Sequence, residues 1–145
     1  MKIGIASDHR GIKLKKQIIN YLASKKYEVM NYGTNTEDSV DHPLYAFAVG
    51  RAVRDGELDC GILICGTGIG MSIAANKVKG VRCAKVDSSY DARMCKVHNN
   101  ANMISFSSKI PLYKAKDMID AYLKSNFKDL EKYQLRNDMI DNYRD

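Results

Sequence analysis

Gly61-Ile62-Leu63-Ile64-Cys65-Gly66-Thr67-Gly68-Ile69-Gly70-Met71-Ser72-Ile73-Ala74-Ala75-Asn76 decides the fold. It reads as an apolar strand, a thiol at its end, a glycine-rich turn and then a helix. Ile62 to Ile64 is a short apolar run of the kind buried in a parallel sheet. Gly66, Gly68 and Gly70 let the backbone turn sharply and let a ligand approach its amides. The following helix points its free N–H groups and positive dipole end back at the turn. An anion or a developing oxyanion is stabilised there. Cys65 stands at the same point, where such a field favours a thiolate. The plainer reading is a buried cysteine ahead of a tight turn.

Working outward, strands and helices alternate. Lys2–Ser7 reads as the first strand, and Gly11 to Ser24 as an amphipathic helix with Leu14, Ile18, Ile19 and Leu22 on one face. Tyr27–Asn31 is a second strand. A polar loop follows, and Pro43 fits the first turn of a helix running to about Arg54. Asp59–Ile64 is the third strand, Gly70–Lys77 a helix, Val81–Val86 the fourth strand, and Ser88 caps a helix to about Val97. Met103–Phe106, Leu112–Lys124 and a charged helical tail from Asp129 to Asn142 complete the chain. The connections are too short for hairpins. The pattern predicts an α/β fold: one five-stranded parallel sheet covered on both faces, an extra C-terminal helix, and a single domain over residues 1–145.

In such a sheet a ligand lies at the carboxyl ends of the strands. That edge collects Ser7-Asp8-His9, the loop after the second strand, Cys65–Gly70, Asp87 and Ser107-Ser108-Lys109. Asp8 beside His9 suggests a hydrogen bond that sets the imidazole tautomer. His42 alone reads as a surface residue. His98 precedes a strand and so falls at the opposite, amino edge. Cys65 and His98 can serve one reaction only if His98 comes from a second subunit, so a shared site in a dimer is expected.

Net charge is +6 with a pI near 9.1. The basic residues are scattered, without the single-face clustering of a nucleic-acid binder, and suit an anionic small substrate. No apolar run of about 18 residues or leader is present, which predicts a cytoplasmic protein without membrane association. Cys60, Cys65, Cys83 and Cys95 show no metal spacing and read as free thiols. Gly66-Thr67-Gly68-Ile69-Gly70 lacks the G-x-G-x-x-G spacing of a dinucleotide site, although Asp87 fits that fingerprint's acid. The residues around Cys65 lack the leading glycine of a nucleophile elbow. Proton transfer next to a carbonyl needs a base, oxyanion donors and a phosphate anchor. Cys65, the glycine turn with Thr67, and His9 with Lys109 and the basic tail supply them. A non-catalytic phosphosugar or nucleotide sensor on the same scaffold is the alternative from another class.

These residues resemble the type B ribose-5-phosphate isomerases and the related galactose-6-phosphate isomerase subunits. The resemblance is carried by Ser7-Asp8-His9-x-Gly11-x-x-Leu14-Lys15, Tyr32-Gly33-Thr34, Asp41-x-Pro43-x-Tyr45-Ala46, Ile64-Cys65-Gly66-Thr67-Gly68-x-Gly70-x-Ser72-x-Ala74-Ala75-Asn76-Lys77, Gly80-Val81-Arg82, Ala92-Arg93-Met94 and His98-Asn99-x-Ala101-Asn102. It implies a Rossmann-like three-layer αβα sandwich and aldose–ketose isomerisation through a cis-enediolate, without metal or cofactor, in a homodimer that sometimes pairs into a tetramer. It implies Cys65 as the base, Thr67 assisting at the substrate oxygen, and Gly66, Gly68 and Gly70 in the anion hole. His98 with Asp8 would open the sugar ring, and Asn99 would hold hydroxyls. His9, Lys109, Lys132 and Arg136 would contact phosphate, and Tyr45 would line the pocket. The full set on one chain implies ribose 5-phosphate, as in the pentose phosphate pathway, with allose or galactose 6-phosphate as six-carbon alternatives. The chain departs from the family at His42 (usually Tyr), at Asn100 (usually Asp), and at Lys109 and Lys132 (commonly Arg). Lysine keeps the charge but not the bidentate fork.

Overall fold

A computed structural model describes residues 1–145. Its elements are β1 (Lys2–Ser7), α1 (Ile12–Ser24), β2 (Glu28–Asn31), α2 (His42–Arg54), β3 (Cys60–Cys65), α3 (Ile69–Ala75), β4 (Cys83–Lys85), α4 (Ser89–Asn99), β5 (Met103–Ser107), α5 (Leu112–Lys124) and α6 (Glu131–Asn142). The five strands pair in the order β2-β1-β3-β5-β4, and every pairing is parallel. No helix is long and apolar enough to cross a membrane.

Two cores form, one on each face of the sheet. The central strand β3 is buried along its whole length and alternates between them. Cys60, Ile62 and Ile64 pack with α1, α4 and α5, while Leu63 and Cys65 pack with α2 and α3. That period of two on a doubly buried strand is why the sequence there is an unbroken apolar run. On α1, Leu14, Ile18 and Leu22 recur every four residues and are buried; each contributes roughly 1.5–3 kcal/mol. The three-layer αβα sandwich expected from the alternation is therefore present.

Boundaries move where side chains compete for main-chain groups. β4 is three residues long rather than the six expected, because the Arg82 N–H is bonded to Asn102 Oδ1 and the Cys83 N–H to Asn76 Oδ1. β3 runs one residue further than expected, so Cys65 is itself the last strand residue. The register Cys65↔Ser107 carries pairing to that point.

Candidate active site

β1 leads to β2 on one side and stands beside β3 on the other, which makes the β1–β3 boundary the switch point of the sheet. Ligand crevices form at such points, outside the carboxyl ends of the strands. A cleft of about 350 Å³ opens there, within the size range of small-molecule sites. Asp8, His9 and Arg10 follow β1 into it, Val40 and His42 enter from the loop before α2 and from its first turn, and Cys65, Gly66, Thr67 and Gly70 come from the turn after β3.

Cys65 is 5% exposed. Its Sγ accepts the Gly68 N–H at 3.2 Å, a main-chain donor that favours negative charge on sulfur. Gly68 caps α3 with φ +80°. A Cβ there would stand 2.7 Å from the main chain of Phe106, so both the angle and the approach demand glycine. The turn is also fixed from β5. Ser105 Oγ donates to Gly68 O and Ser107 Oγ to Gly66 O, each at 2.8 Å. The Ser108 N–H donates to Cys65 O at 2.8 Å, and the Lys109 N–H to Ser107 Oγ at 3.0 Å. The main chain of Lys109 is thereby held just beyond the carboxyl end of β5. Thr67 Oγ1 accepts the Ile69 N–H at 3.1 Å. With Gly68 and Ile69 so engaged, the anion hole expected from the Gly66–Gly70 amides is narrower than the sequence suggests.

Burial pushes Cys60 and Cys83 up to about 12 and Cys95 up to about 11, so they are inert core groups. All four cysteines are free. No group of three or more His, Cys, Asp or Glu is placed to hold a metal ion.

The Asp8–His9 hydrogen bond expected from the sequence does not form. Asp8 Oδ1 instead accepts the Arg10 N–H at 2.9 Å, because a short carboxylate after a strand folds back onto its own turn. His9 Nδ1 accepts the Val40 N–H at 3.4 Å, which leaves Nε2 to carry the proton of the neutral ring. The loop preceding α2 is tied down elsewhere too. The buried Lys15 Nζ donates to Asn31 Oδ1 at 2.9 Å, Thr34 O at 2.5 Å and Asn35 Oδ1 at 2.9 Å. Ser7 exchanges main-chain bonds with Gly33 and Thr34.

Of two further cleft residues, the residues alone leave His42 on the surface and only the family resemblance sets it on the pocket wall, while Arg10 escapes both. His42 is no surface residue: its ring lies against Gly70, where a Cβ would come within 2.6 Å of Nε2. Pro43 behind it, at the start of a helix, is the signal that places it there. Arg10 lies over Gly66, and nothing but its place after Asp8-His9 marks it. Tyr45 packs behind the cleft, against Gly33.

His98, Asn99, Lys132 and Arg136 form a separate group. His98 ends α4 with its ring 4.7 Å from that of Tyr133 on α6, and its carbonyl accepts Asn137 Nδ2 at 3.3 Å. Lys132 and Arg136 lie on the same helix. Asn99 lines a smaller cleft of about 200 Å³ with Arg82 and Ile140. The turn after His98 meets the amino end of β3, where the Gly61 N–H donates to Asn102 O. Gly61 is four residues from Cys65, about 13 Å along a strand at about 3.3 Å per residue. Within one chain the two groups stand at opposite edges of the sheet.

A thiol facing a main-chain donor, flanked by two imidazoles and an arginine at the switch point of a doubly wound sheet, defines an α/β enzyme for small anionic substrates. The family model described as Ribose/Galactose Isomerase matches residues 3–140, and the chain belongs to that family of aldose–ketose sugar-phosphate isomerases. It is 42% identical over 127 residues to ribose-5-phosphate isomerase B of Escherichia coli, covering 87% of this chain and 85% of the relative. The solved ribose-5-phosphate isomerase B of Clostridium thermocellum superimposes with a TM-score of 0.94 at 45% identity, over 97% of this chain and 95% of that one. The enzyme from Mycoplasma genitalium, solved with bound ribulose-5-phosphate, gives a TM-score of 0.92 at 41% identity over 98% and 95%.

Proposed function

We propose that the chain, as one domain over residues 1–145, interconverts D-ribose 5-phosphate and D-ribulose 5-phosphate with Cys65 as the base. The observation that carries this is the Gly68 N–H directed at Cys65 Sγ in a cleft of substrate size. The thiolate takes the proton from C2 of the open-chain aldose. The C2–H electrons form the C1–C2 double bond of a cis-enediolate, and the carbonyl electrons move to O1. The Cys65 thiol returns the proton to C1, and the O2 proton passes to O1 through Thr67. The glycine-turn amides stabilise the enediolate oxygen. His98 with Asp8 opens the ring, and Asn99 orients hydroxyls.

His98 reaches the Cys65 cleft from a partner subunit in a homodimer, because in one chain it stands at the other edge of the sheet. Lys132 and Arg136 travel with it on α6 and meet His9 and Lys109 around the phosphate. Tyr45 supports the wall. A six-carbon sugar phosphate is the second reading; His42 against Gly70 leaves a wall unlike the tyrosine that the family resemblance leads one to expect there.

The test offers ribose 5-phosphate, allose 6-phosphate and galactose 6-phosphate to the purified protein and to Cys65→Ala. Conversion of ribose 5-phosphate that falls about 10³-fold in the variant is expected for loss of a general base. Conversion of a six-carbon sugar alone moves the substrate and keeps the base. A folded dimer that converts none of them is a binding module.

A further inference from the structure

We propose that Arg10 is an anion ligand of the Cys65 cleft, holding the phosphate of the substrate from the same chain that supplies the thiol. The inference rests on the isomerase reading for the identity of the anion and on geometry for the residue.

The backbone puts Arg10 where it is. The Asp8 N–H donates to Ile64 O at 3.1 Å, next to Cys65, and the Gly11 N–H donates to Asp8 O at 3.1 Å. Asp8 Oδ1 receives the Arg10 N–H. A Cβ on Gly11 would lie 2.8 Å from Ile64 Cγ2, so the turn presses on β3 only because residue 11 has no side chain. These bonds fix the Arg10 main chain and leave its guanidinium directed over Gly66. There Nη1 would stand 3.0 Å, and Cδ 3.4 Å, from a Cβ at position 66. Gly66 is not among the glycines with positive φ. Its backbone angle therefore does not demand glycine, and the one group a Cβ there would meet is the Arg10 side chain.

The guanidinium has no partner in the chain. None of the four ion pairs involves Arg10, and its five N–H donors are free of side-chain hydrogen bonds. Within the cleft it is the one permanent cation, and the one carboxylate there, Asp8, receives the Arg10 N–H on Oδ1 rather than pairing with the guanidinium. Arg10 also borders the neighbouring cleft with Lys13 and Ser108, and Ser108 precedes Lys109. Glu37 lines a third hollow beside Arg10 without pairing with it. An unpaired planar fork over the main chain of the thiol turn is suited to bidentate capture of a phosphate monoester. It would supply in cis the fork that Lys109 and Lys132 lack.

The experiment titrates the full-length protein with inorganic phosphate by calorimetry, and measures KM and kcat for ribose 5-phosphate. Wild type is set against Arg10→Ala, Arg10→Lys and the distant control Lys25→Ala. Loss of a charge-assisted pair weakens binding about 10- to 100-fold. Arg10→Ala should raise the phosphate dissociation constant and KM by that factor, with kcat within about threefold. Arg10→Lys should recover only part of it, and Lys25→Ala should match wild type. Phosphate affinity and KM within about twofold of wild type in a folded Arg10→Ala protein would overturn the proposal. A fall in kcat with phosphate affinity unchanged would also overturn it, since Arg10 would then serve the reacting carbons. Arg10-dependent phosphate binding in a protein that turns over no sugar would uphold the ligand and remove the isomerase. Normal turnover with Arg10→Ala indifferent would do the reverse.

Discussion

Arg82 joins Asp141 of α6 through Nη1, and the same guanidinium donates from Nε to Asn99 O at 2.9 Å and from Nη2 to Asn100 O at 3.2 Å. One side chain thus binds the carboxyl end of α4, which carries His98, to the helix that carries Lys132 and Arg136. The guanidinium also satisfies carbonyls that a helix end leaves open. The pair is partly buried, with Arg82 16% and Asp141 33% exposed. Removing one partner there strands the other, at a cost of about 1–3 kcal/mol. Arg82→Ala should lower the unfolding free energy by that amount. It should lower kcat more than Lys25→Ala does, because the His98–α6 group loses its tie. Equilibrium urea unfolding beside steady-state kinetics reads both; a stability loss with unaltered kcat would mean the clamp has no share in the site.

Gly68 and Gly56 share a backbone conformation but not a neighbourhood. Their φ values are +80° and +77°, which costs an L side chain about 1–2 kcal/mol. A Cβ on Gly56 would meet nothing within 4 Å, while one on Gly68 would strike the Phe106 main chain at 2.7 Å. Gly56→Ala is therefore expected to cost about 1–2 kcal/mol and leave activity untouched. Gly68→Ala should cost more, shift the donor from Cys65 Sγ and abolish turnover. Equal destabilisation of the two variants would show that the clash is relieved without moving the turn.

The sheet and the thiol turn were legible because their causes are local. An apolar run between glycines cannot be placed in many ways, and β3 with its turn lies where the alternation put it. Arg10 was not legible, and His42 was legible only through the family resemblance, because both places come from which glycine they lie over. That depends on the packing of Gly11 on Ile64 and on the course of the loop from residue 31 to 41. The Asp8–His9 pairing failed for a related reason. Adjacent residues leave a strand end on opposite sides, and a carboxylate finds its own turn sooner than its neighbour's ring. His98 was placed at the far edge from its position before β5 alone, and the Asn102–Gly61 bond bears out that placement.

Stability should fall in alkaline solution for a reason tied to the core. Cys60 and Cys83 titrate at about 12 and Cys95 at about 11 in the fold, because burial opposes the thiolate; the ordinary value is 9.0. The unfolded chain releases these protons above pH 9 while the folded chain keeps them. The stability they carry is complete below pH 9 and is lost as pH rises toward 12. Tyr122, raised well above 10.0 by burial, adds to the loss from pH 10. Lys15 acts oppositely. Burial lowers it from 10.5 to about 8, so between those values the unfolded chain holds the proton and stability rises with pH. Three thiols outweigh one amine. The unfolding free energy should hold level from pH 7.5 to 9 and then fall, each proton contributing a slope of about 1.4 kcal/mol per pH unit. Cys83→Ala should make that fall shallower by about one proton in urea titrations. A slope identical to wild type would show that Cys83 ionises normally in the fold.

Lys15 separates local hold from global stability. Its ammonium is wholly buried, faces three neutral oxygens from β2 and the following loop, and feels the charge of Lys16 on its own helix. Glu37 and Asp38 of the loop are exposed and make no ion pair with it. In Lys15→Met the Thr34 carbonyl loses its donor, about 1–3 kcal/mol. Removal of a desolvated charge offsets much of that, so the unfolding midpoint should move little. The loop that brings Val40 and His42 to the cleft nevertheless loses its anchor, and KM should rise about fivefold, a cost of about 1 kcal/mol, with faster amide exchange over residues 34–41. The native protein should show a weaker version of the same effect. Above pH 8 the neutral amine has two N–H donors for three oxygens, so KM should climb with pH in wild type and stay level in Lys15→Met. A variant that loses stability while KM and its pH dependence match wild type would make Lys15 a core residue and nothing more.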